Sequence, residues 1–180
     1  KKLIKKHLAN DLTGGCEYCL NFLKTRKFNG IKPMTFDKYS NGYRLDRPRV
    51  LEFDLSSQCN LNCIMCNEVN RDKVPSPDLY DDIFIEQLTP YLKYIKEAKF
   101  YGGEPFLIKQ YYKIWQKIVE VNPETKIFVI TNGTILNEKV KSLLERGLFD
   151  IGVSVDGMHK DVFEKIRVGA NFEQVMQNVR

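Results

Sequence analysis

The sequence predicts an α/β fold built on parallel strands, and three observations carry that prediction. Short apolar or alternating runs ("RVLEFDLS", "AKFY", "KIFVIT", "FDIGVSV") recur between stretches of helical period, so strand and helix alternate four times. Each run ends in a loop of turn-forming residues, and such alternation is satisfied by right-handed crossovers between parallel neighbours. No internal repeat or low-complexity tract points to another architecture. The sheet is then either doubly wound or part of a TIM-like barrel, and both place ligands at the carboxyl ends of the strands.

Taken in order, residues 1–48 read as an irregular N-terminal extension, because "GGCEYC", "FNGIKP" and "YSNGYRLDRPR" are rich in breakers. Residues 49–180 form the regular domain. In "RVLEFDLS", Leu51, Phe53 and Leu55 alternate with polar neighbours, the mark of a half-buried strand. Asp78 opens a helix with Leu79, Ile83, Leu88, Leu92 and Ile95 on one face, bent or broken near Pro90. A second helix starts near Ile108. Its stripe of Ile108, Tyr111, Tyr112, Trp115, Ile118 and Val119 reads as packing against the sheet. "KIFVIT" is continuously apolar, which predicts burial on both faces. Asn137 caps the next helix and Gly147 ends it. "FDIGVSV" is the fourth strand. Asn171 then caps "FEQVMQNV", with Gln174 placed for a capping box.

With 180 residues the chain is long enough for one domain with a core. Its net charge of +5 comes from Lys and Arg scattered along the whole length, which reads as a solvated surface. No aromatic-basic stripe favours nucleic acid. Nowhere do ~18 apolar residues run together, so no membrane span is expected. No signal peptide is read in "KKLIKKHL". Five cysteines, three of them in one loop, argue against a disulfide framework. They favour metal or redox work in a reducing compartment, and the expected location is cytoplasmic.

Those three cysteines lie in "CNLNCIMC", residues 59–66, separated by three and then two residues. Structural zinc takes four closed ligands. A zinc site would pair Cys16 and Cys19 with Cys63 and Cys66 across an unusually long gap and leave Cys59 spare. A ferredoxin cluster needs a fourth cysteine further on, and none follows Cys66. Three thiolates on a four-iron cube leave one iron open, as a cofactor-activating cluster requires. The other strand ends carry "GGEP" (102–105), "TNGT" (131–134) and "SVDG" (154–157). The two glycines of "GGEP" let backbone approach a ligand closely, and Glu104 offers an acceptor to an ammonium. "TNGT" alone is a turn. Alternation puts Ser154 and Asp156 on one side of their strand. His7 and His159 sit with no other ligand, and His159 reads as a solvated loop residue.

The Cx3Cx2C loop after the first strand, followed in order by these rim motifs, resembles the radical S-adenosylmethionine (SAM) superfamily. Over Val50 to Arg180 the resemblance implies a partial TIM-like (β/α)6 barrel with about four βα units, truncated before strands five and six. It implies that Cys59, Cys63 and Cys66 hold a [4Fe-4S] cluster whose fourth iron binds the amino and carboxylate groups of SAM. Met65 stands where the family usually has an aromatic residue with its backbone near the adenine. Gly102, Gly103 and Glu104 correspond to the residues that hold the amine. Thr131 and Asn132 resemble third-strand SAM contacts, with plain turn chemistry the alternative. Ser154 and Asp156 fall near the ribose or substrate. Arg167, in "KIRVGANF", resembles an arginine that reaches the SAM carboxylate, with a surface salt bridge the alternative.

The implied reaction is reductive cleavage of SAM to a 5′-deoxyadenosyl radical that takes hydrogen from a substrate. It implies a one-electron donor such as flavodoxin or ferredoxin. A peptide or protein is the expected substrate, since the SPASM or twitch subgroup, with auxiliary clusters, often modifies peptides. For Cys16 and Cys19 a second Fe-S cluster, zinc and a redox pair all stay open. The competing reading of the whole chain is a non-catalytic Fe-S or zinc module for electron transfer or partner binding. "GGEP" and "SVDG" speak against it, because an electron carrier needs no clamp for methionine.

Overall fold

The computed structural model describes residues 5–6, 9, 11, 13, 17–26, 47–66 and 80–180. The chain divides into two compact units, Lys1–Asp46 and Arg47–Arg180. In the first, α1 spans Glu17–Lys24 inside the stretch expected to be irregular. The eight residues of "EYCLNFLK" hold no breaker. Glu17 and Lys24 suit the positive and negative ends of the helix dipole, and Tyr18 packs edge-on against Phe22 at 4.9 Å.

The second unit runs β1 (Val50–Phe53), α2 (Asp82–Leu92), β2 (Glu97–Phe100), α3 (Lys109–Val121), β3 (Lys126–Thr131), α4 (Glu138–Leu144), β4 (Leu148–Val153), α5 (Lys160–Ile166) and α6 (Phe172–Val179). The four strands form one parallel sheet in the order β1-β2-β3-β4. Its register sets Phe53, Phe100, Val129 and Ile151 side by side in a row across the sheet. The strand ends, and the motifs that follow them, therefore come out along one rim.

The core lies between this sheet and the helices on one face. Phe53 stacks on Phe100 at 4.7 Å. Trp115 of α3 is fully buried and meets Phe100 at 5.3 Å, Tyr112 at 5.2 Å and Phe149 at 6.1 Å. The expected α3 stripe is the packed one, and Ile114 joins it. Tyr111 also does polar work. Its hydroxyl accepts from the Leu55 N–H (2.9 Å) and shares its hydrogen between the carbonyls of Tyr101 (2.8 Å) and Phe53 (3.1 Å).

Several elements differ from expectation for identifiable reasons. Asp81 caps α2 by accepting from the Phe84 N–H at 2.9 Å, and residues 78 and 79 lie outside the described residues. The buried stripe of α2 follows Ile85, Leu88 and Leu92, so a 3.6-residue period turns Ile83 outward, where it is 62% exposed. Ile95 is buried but lies past the helix end. The helix continues through Pro90 to Leu92, where the missing N–H falls in the last turn. β3 is buried on one face only. Ile127, Val129 and Thr131 are covered, whereas Ile130 is 40% exposed. Helices pack on one side of the sheet; the other side is the inner wall of a partial barrel. On that wall Tyr101 meets Phe128 at 6.5 Å, and Lys99 pairs with Glu52 at 3.1 Å.

Asn137 caps α4 through the Val140 N–H, but α4 ends at Leu144 with Glu145 as its cap, before Gly147 is reached. Gly147 instead makes the turn into β4, where a Cβ would lie 2.8 Å from the Phe149 ring. β4 stops at Val153 rather than Val155. Helix α5 was not anticipated; fully buried Phe163 fastens it, packing on Phe172 at 5.5 Å. Asn171 caps α6 by accepting from the Gln174 N–H at 2.8 Å, while the Gln174 side chain donates to the Thr134 carbonyl rather than closing a capping box. Among the described residues no helix is long and apolar enough to cross a membrane.

Candidate functional site

The site starts where β1 ends. The segment Ser56–Gln58 crosses the end of β2 and is tied there: the Gly103 N–H donates to the Ser56 carbonyl (3.0 Å) and the Glu104 N–H to the Gln58 carbonyl (2.7 Å). Only glycines allow this approach. Gly102 sits at φ +109°, and a Cβ on Gly103 would lie 2.1 Å from the Gln58 oxygen. The room that the sequence reserved for a ligand is thus taken by the chain's own backbone, although both glycines still face the cavity beyond.

The cysteine loop follows. Leu61 anchors it in the interior at 3% exposure, and the Leu61 N–H donates to Cys59 Sγ at 3.4 Å. The Cys66 N–H closes a turn onto the Cys63 carbonyl at 3.0 Å. Two further backbone bonds fasten the loop to the chain after α5: Asn62 N–H to the Val168 carbonyl and Ile64 N–H to the Ile166 carbonyl, each 2.9 Å. This antiparallel staple sets Cys63 directly opposite Arg167.

Cys59, Cys63 and Cys66 line one cavity of about 320 Å³. Cys59 and Cys63 are half-buried, and Cys66 is exposed. Gly102 and Gly103 form another wall, Thr131 and Asn132 a third, with Met65, Ser154 and Arg167 at the remaining edges. Ser57, Leu61, Tyr101 and Ile130 also line it and were not anticipated. For Ile130 the signal was available: it lies two residues after Phe128 on the inner face, the alternation any strand shows.

Glu104 is placed otherwise than expected. It is fully buried and does not line the cavity. Its carboxylate accepts from Thr131 Oγ1 (2.7 Å), the Asn132 N–H (2.8 Å) and the Phe106 N–H (3.2 Å), so it holds the end of β3 from behind. Burial pushes its carboxyl above the usual range, and these three donors pull against that rise. Asn132, Asn60 and Thr134 form a closed ring. Asn132 Nδ2 donates to Asn60 Oδ1 (2.9 Å), Asn60 Nδ2 to Thr134 Oγ1 (2.8 Å), and Thr134 Oγ1 to Asn132 Oδ1 (2.7 Å).

Asp156 also departs from its expected place. β4 ends at Val153, so strand alternation does not carry to residue 156; Ser154 lines the cavity and Asp156 does not. Asp156 pairs with Arg167 Nη2 at 2.6 Å instead. The Arg167 side chain is only 11% exposed, its Nη1 lies 4.0 Å from Cys63 Sγ, and its Nε is buried with no partner among the described residues. Burial pushes the Cys63 thiol up, while the Arg167 guanidinium draws it down. Cys19 lies half-buried on α1, in the other unit; Cys16 and His7 lie outside the described residues. His159 is exposed at the start of α5 and makes no side-chain cap bond.

Among the described residues no three His, Cys, Asp or Glu side chains converge as a single metal ion would require. The three thiols are spread along one cavity instead. An all-sulfur donor set of this kind suits an iron–sulfur cluster, and the Arg167 guanidinium brings a positive charge to the same cavity.

A parallel sheet whose carboxyl rim frames a thiol-lined cavity defines a cofactor-binding α/β barrel, here four strands wide. Residues 54–180 match the model of the Radical SAM superfamily, and the chain belongs to that superfamily. A probable GTP 3′,8-cyclase of Methanocella arvoryzae is 30% identical over 152 residues, covering 81% of this chain and 45% of its own length. A GTP 3′,8-cyclase of Aquifex aeolicus is 30% identical over 147 residues, covering 74% and 45%. Among solved structures, anSMEcpe with bound AdoMet superposes with TM-score 0.57 at 25% identity, over 72% of this chain and 40% of that one. Streptococcus suis SuiB bound to S-adenosylmethionine superposes with TM-score 0.59 over 98% of this chain and 40% of that one. Its 15% identity speaks to fold alone. The chain spans less than half the length of these relatives. Membership carries with it SAM and a [4Fe-4S] cluster as cofactors, and the four-stranded sheet is the partial TIM-like barrel that the sequence predicts.

Proposed function

We propose that this chain forms the cofactor-binding part of a radical SAM enzyme acting on a peptide or protein. One observation carries the reading: motifs far apart in sequence, at the ends of four strands, meet around one cavity of about 320 Å³. Cys59, Cys63 and Cys66 are the proposed cluster ligands. A [4Fe-4S] cluster held by them would supply one electron for cleavage of bound SAM to methionine and a 5′-deoxyadenosyl radical able to take hydrogen from the substrate.

The chain's own residues bind and orient. Gly102 and Gly103 border the proposed seat of the SAM amine. Arg167, which lines the cavity, supplies the cation for the SAM carboxylate. Met65, 49% exposed, supplies a soft apolar edge for the adenine. Thr131, Asn132 and Ser154 give polar contacts toward the nucleoside. Glu104 keeps the first two of these in place. Apolar Leu61 and Ile130 help exclude water.

The peptide reading rests on the resemblance to the auxiliary-cluster subgroup; SuiB bound to precursor peptide SuiA and anSMEcpe bound to the Kp18Cys peptide share the fold on which such substrates are accommodated. GTP, named in the curated relatives, is the competing substrate. Flavodoxin or ferredoxin is the proposed electron donor and the reducing cytoplasm the proposed location.

Anaerobic reconstitution with iron and sulfide, followed by SAM and dithionite, tests this. About four irons per chain and 5′-deoxyadenosine are expected, with Cys63→Ala losing both. About eight irons would bring Cys16 and Cys19 into a second cluster. Zinc without iron overturns the reading.

A further inference from the structure

The proposed cluster ligands are not surrounded evenly by charge, and two side chains of very different kinds aim donors at them. Asn132 Nδ2 lies 3.8 Å from Cys59 Sγ. Its orientation is fixed by the closed ring described above. Asn132 Oδ1 is engaged by both the Thr134 N–H and Oγ1, and one amide hydrogen goes to Asn60 Oδ1. The second amide hydrogen is left directed at sulfur. Arg167 Nη1 lies 4.0 Å from Cys63 Sγ, and the backbone staple through Ile166 and Val168 holds it there independently of its side-chain partners. Asp156, 2.6 Å from the other guanidinium nitrogen, sets how much of that positive charge is felt.

We propose that Asn132 and Arg167 tune the reduction potential of the cluster held by Cys59, Cys63 and Cys66, and that Asp156 restrains Arg167 in that task. The inference rests on the proposed ligand assignment. The step concerned is the uptake of one electron from an external donor by the oxidised [4Fe-4S]2+ cluster to give [4Fe-4S]+. No proton or bond is exchanged, and the site becomes one unit more negative. A donor or a cation beside the sulfurs stabilises that product more than the starting state, and a carboxylate does the reverse. Both donors act on the half-buried thiols, Cys59 and Cys63.

The test is an EPR-monitored redox titration of the reconstituted chain without SAM, with iron and sulfide counted for each variant. Arg167→Met is expected to lower the midpoint by about 59 mV, a tenfold change in the one-electron equilibrium. Asn132→Leu is expected to lower it by less. Asp156→Asn is expected to raise it. The opposed signs at Arg167 and Asp156, two residues in contact, are what a purely structural role does not produce. If loaded variants show no shift, or the two shift the same way, the inference is overturned. If Arg167→Met fails to take up iron, Asp156→Asn decides alone: a rise supports the inference, and no change or a fall overturns it. If the unsubstituted chain takes up no four-iron cluster, the ligand assignment fails and this inference falls with it.

Discussion

Tyr111 looks like packing in the sequence, one member of an apolar stripe, and its ring does pack on Phe100 at 5.0 Å. Its hydroxyl, however, satisfies the Leu55 N–H where β1 leads into the cysteine loop. Tyr111→Phe keeps the ring and leaves that partly buried N–H without its partner, at a cost of about 1–3 kcal/mol. A lower urea denaturation midpoint with an unchanged m-value, the shift multiplied by m giving that loss, is the expected result. Residues whose chemistry is rare drew notice in the sequence, three thiols in one loop and two adjacent glycines, and the structure brings all five to one cavity. Glu104 and Asp156 were legible only as carboxylates at strand ends. Which way each one faces depends on where its strand stops and what packs behind it. Neither the fully buried carboxylate under β3 nor the ion pair with Arg167 leaves a mark in local sequence. Asn60 and Thr134 were missed for a related reason. Each is an ordinary loop residue alone, and their ring with Asn132 spans more than seventy positions.

At the scale of elements, the strands and caps were readable because each is a local decision. Alternation marked β1, and Asn137 and Asn171 announced their helices. Phase was less readable. The sequence places the start of α2 at Asp78, whereas Asp81 caps it, and Ile83 faces outward. β3 is apolar on both faces, yet one of them forms the inner wall, where exposure depends on the width of the barrel rather than on the strand. The join between β2 and the cysteine loop is the most constrained junction. Gly103→Ala would press a methyl against the Gln58 carbonyl, whose oxygen lies 2.1 Å from the ideal Cβ position. We expect a destabilisation of about 1–3 kcal/mol. Iron uptake on reconstitution should fall as well, since the displaced segment leads directly into Cys59.

On the scale of the whole molecule, the main apolar core draws on residues between Leu51 and Ile151, all within the second unit. A chain beginning at Arg47 is therefore expected to unfold cooperatively in urea as a single transition. Loss of that transition would show that residues 1–46 are needed to complete the fold. The α/β class and its parallel order were legible because the four strand–helix alternations leave few other topologies. The short helix α1 was not, because its eight residues are flanked by breakers and bury no side chain.

Strand order and chain order coincide from β1 to β4. A polypeptide emerging from the ribosome can thus add each strand to a neighbour already made, and no gap in the sheet waits for a later piece. The cysteine loop is the exception. It emerges directly after β1, yet its staple is supplied by Ile166 and Val168, and Cys63 meets Arg167 across 104 positions. The thiols are thus synthesised about a hundred positions before the backbone that fastens them. A nascent chain stalled before Ile166 would present three unfastened cysteines to whatever metal or oxidant it met.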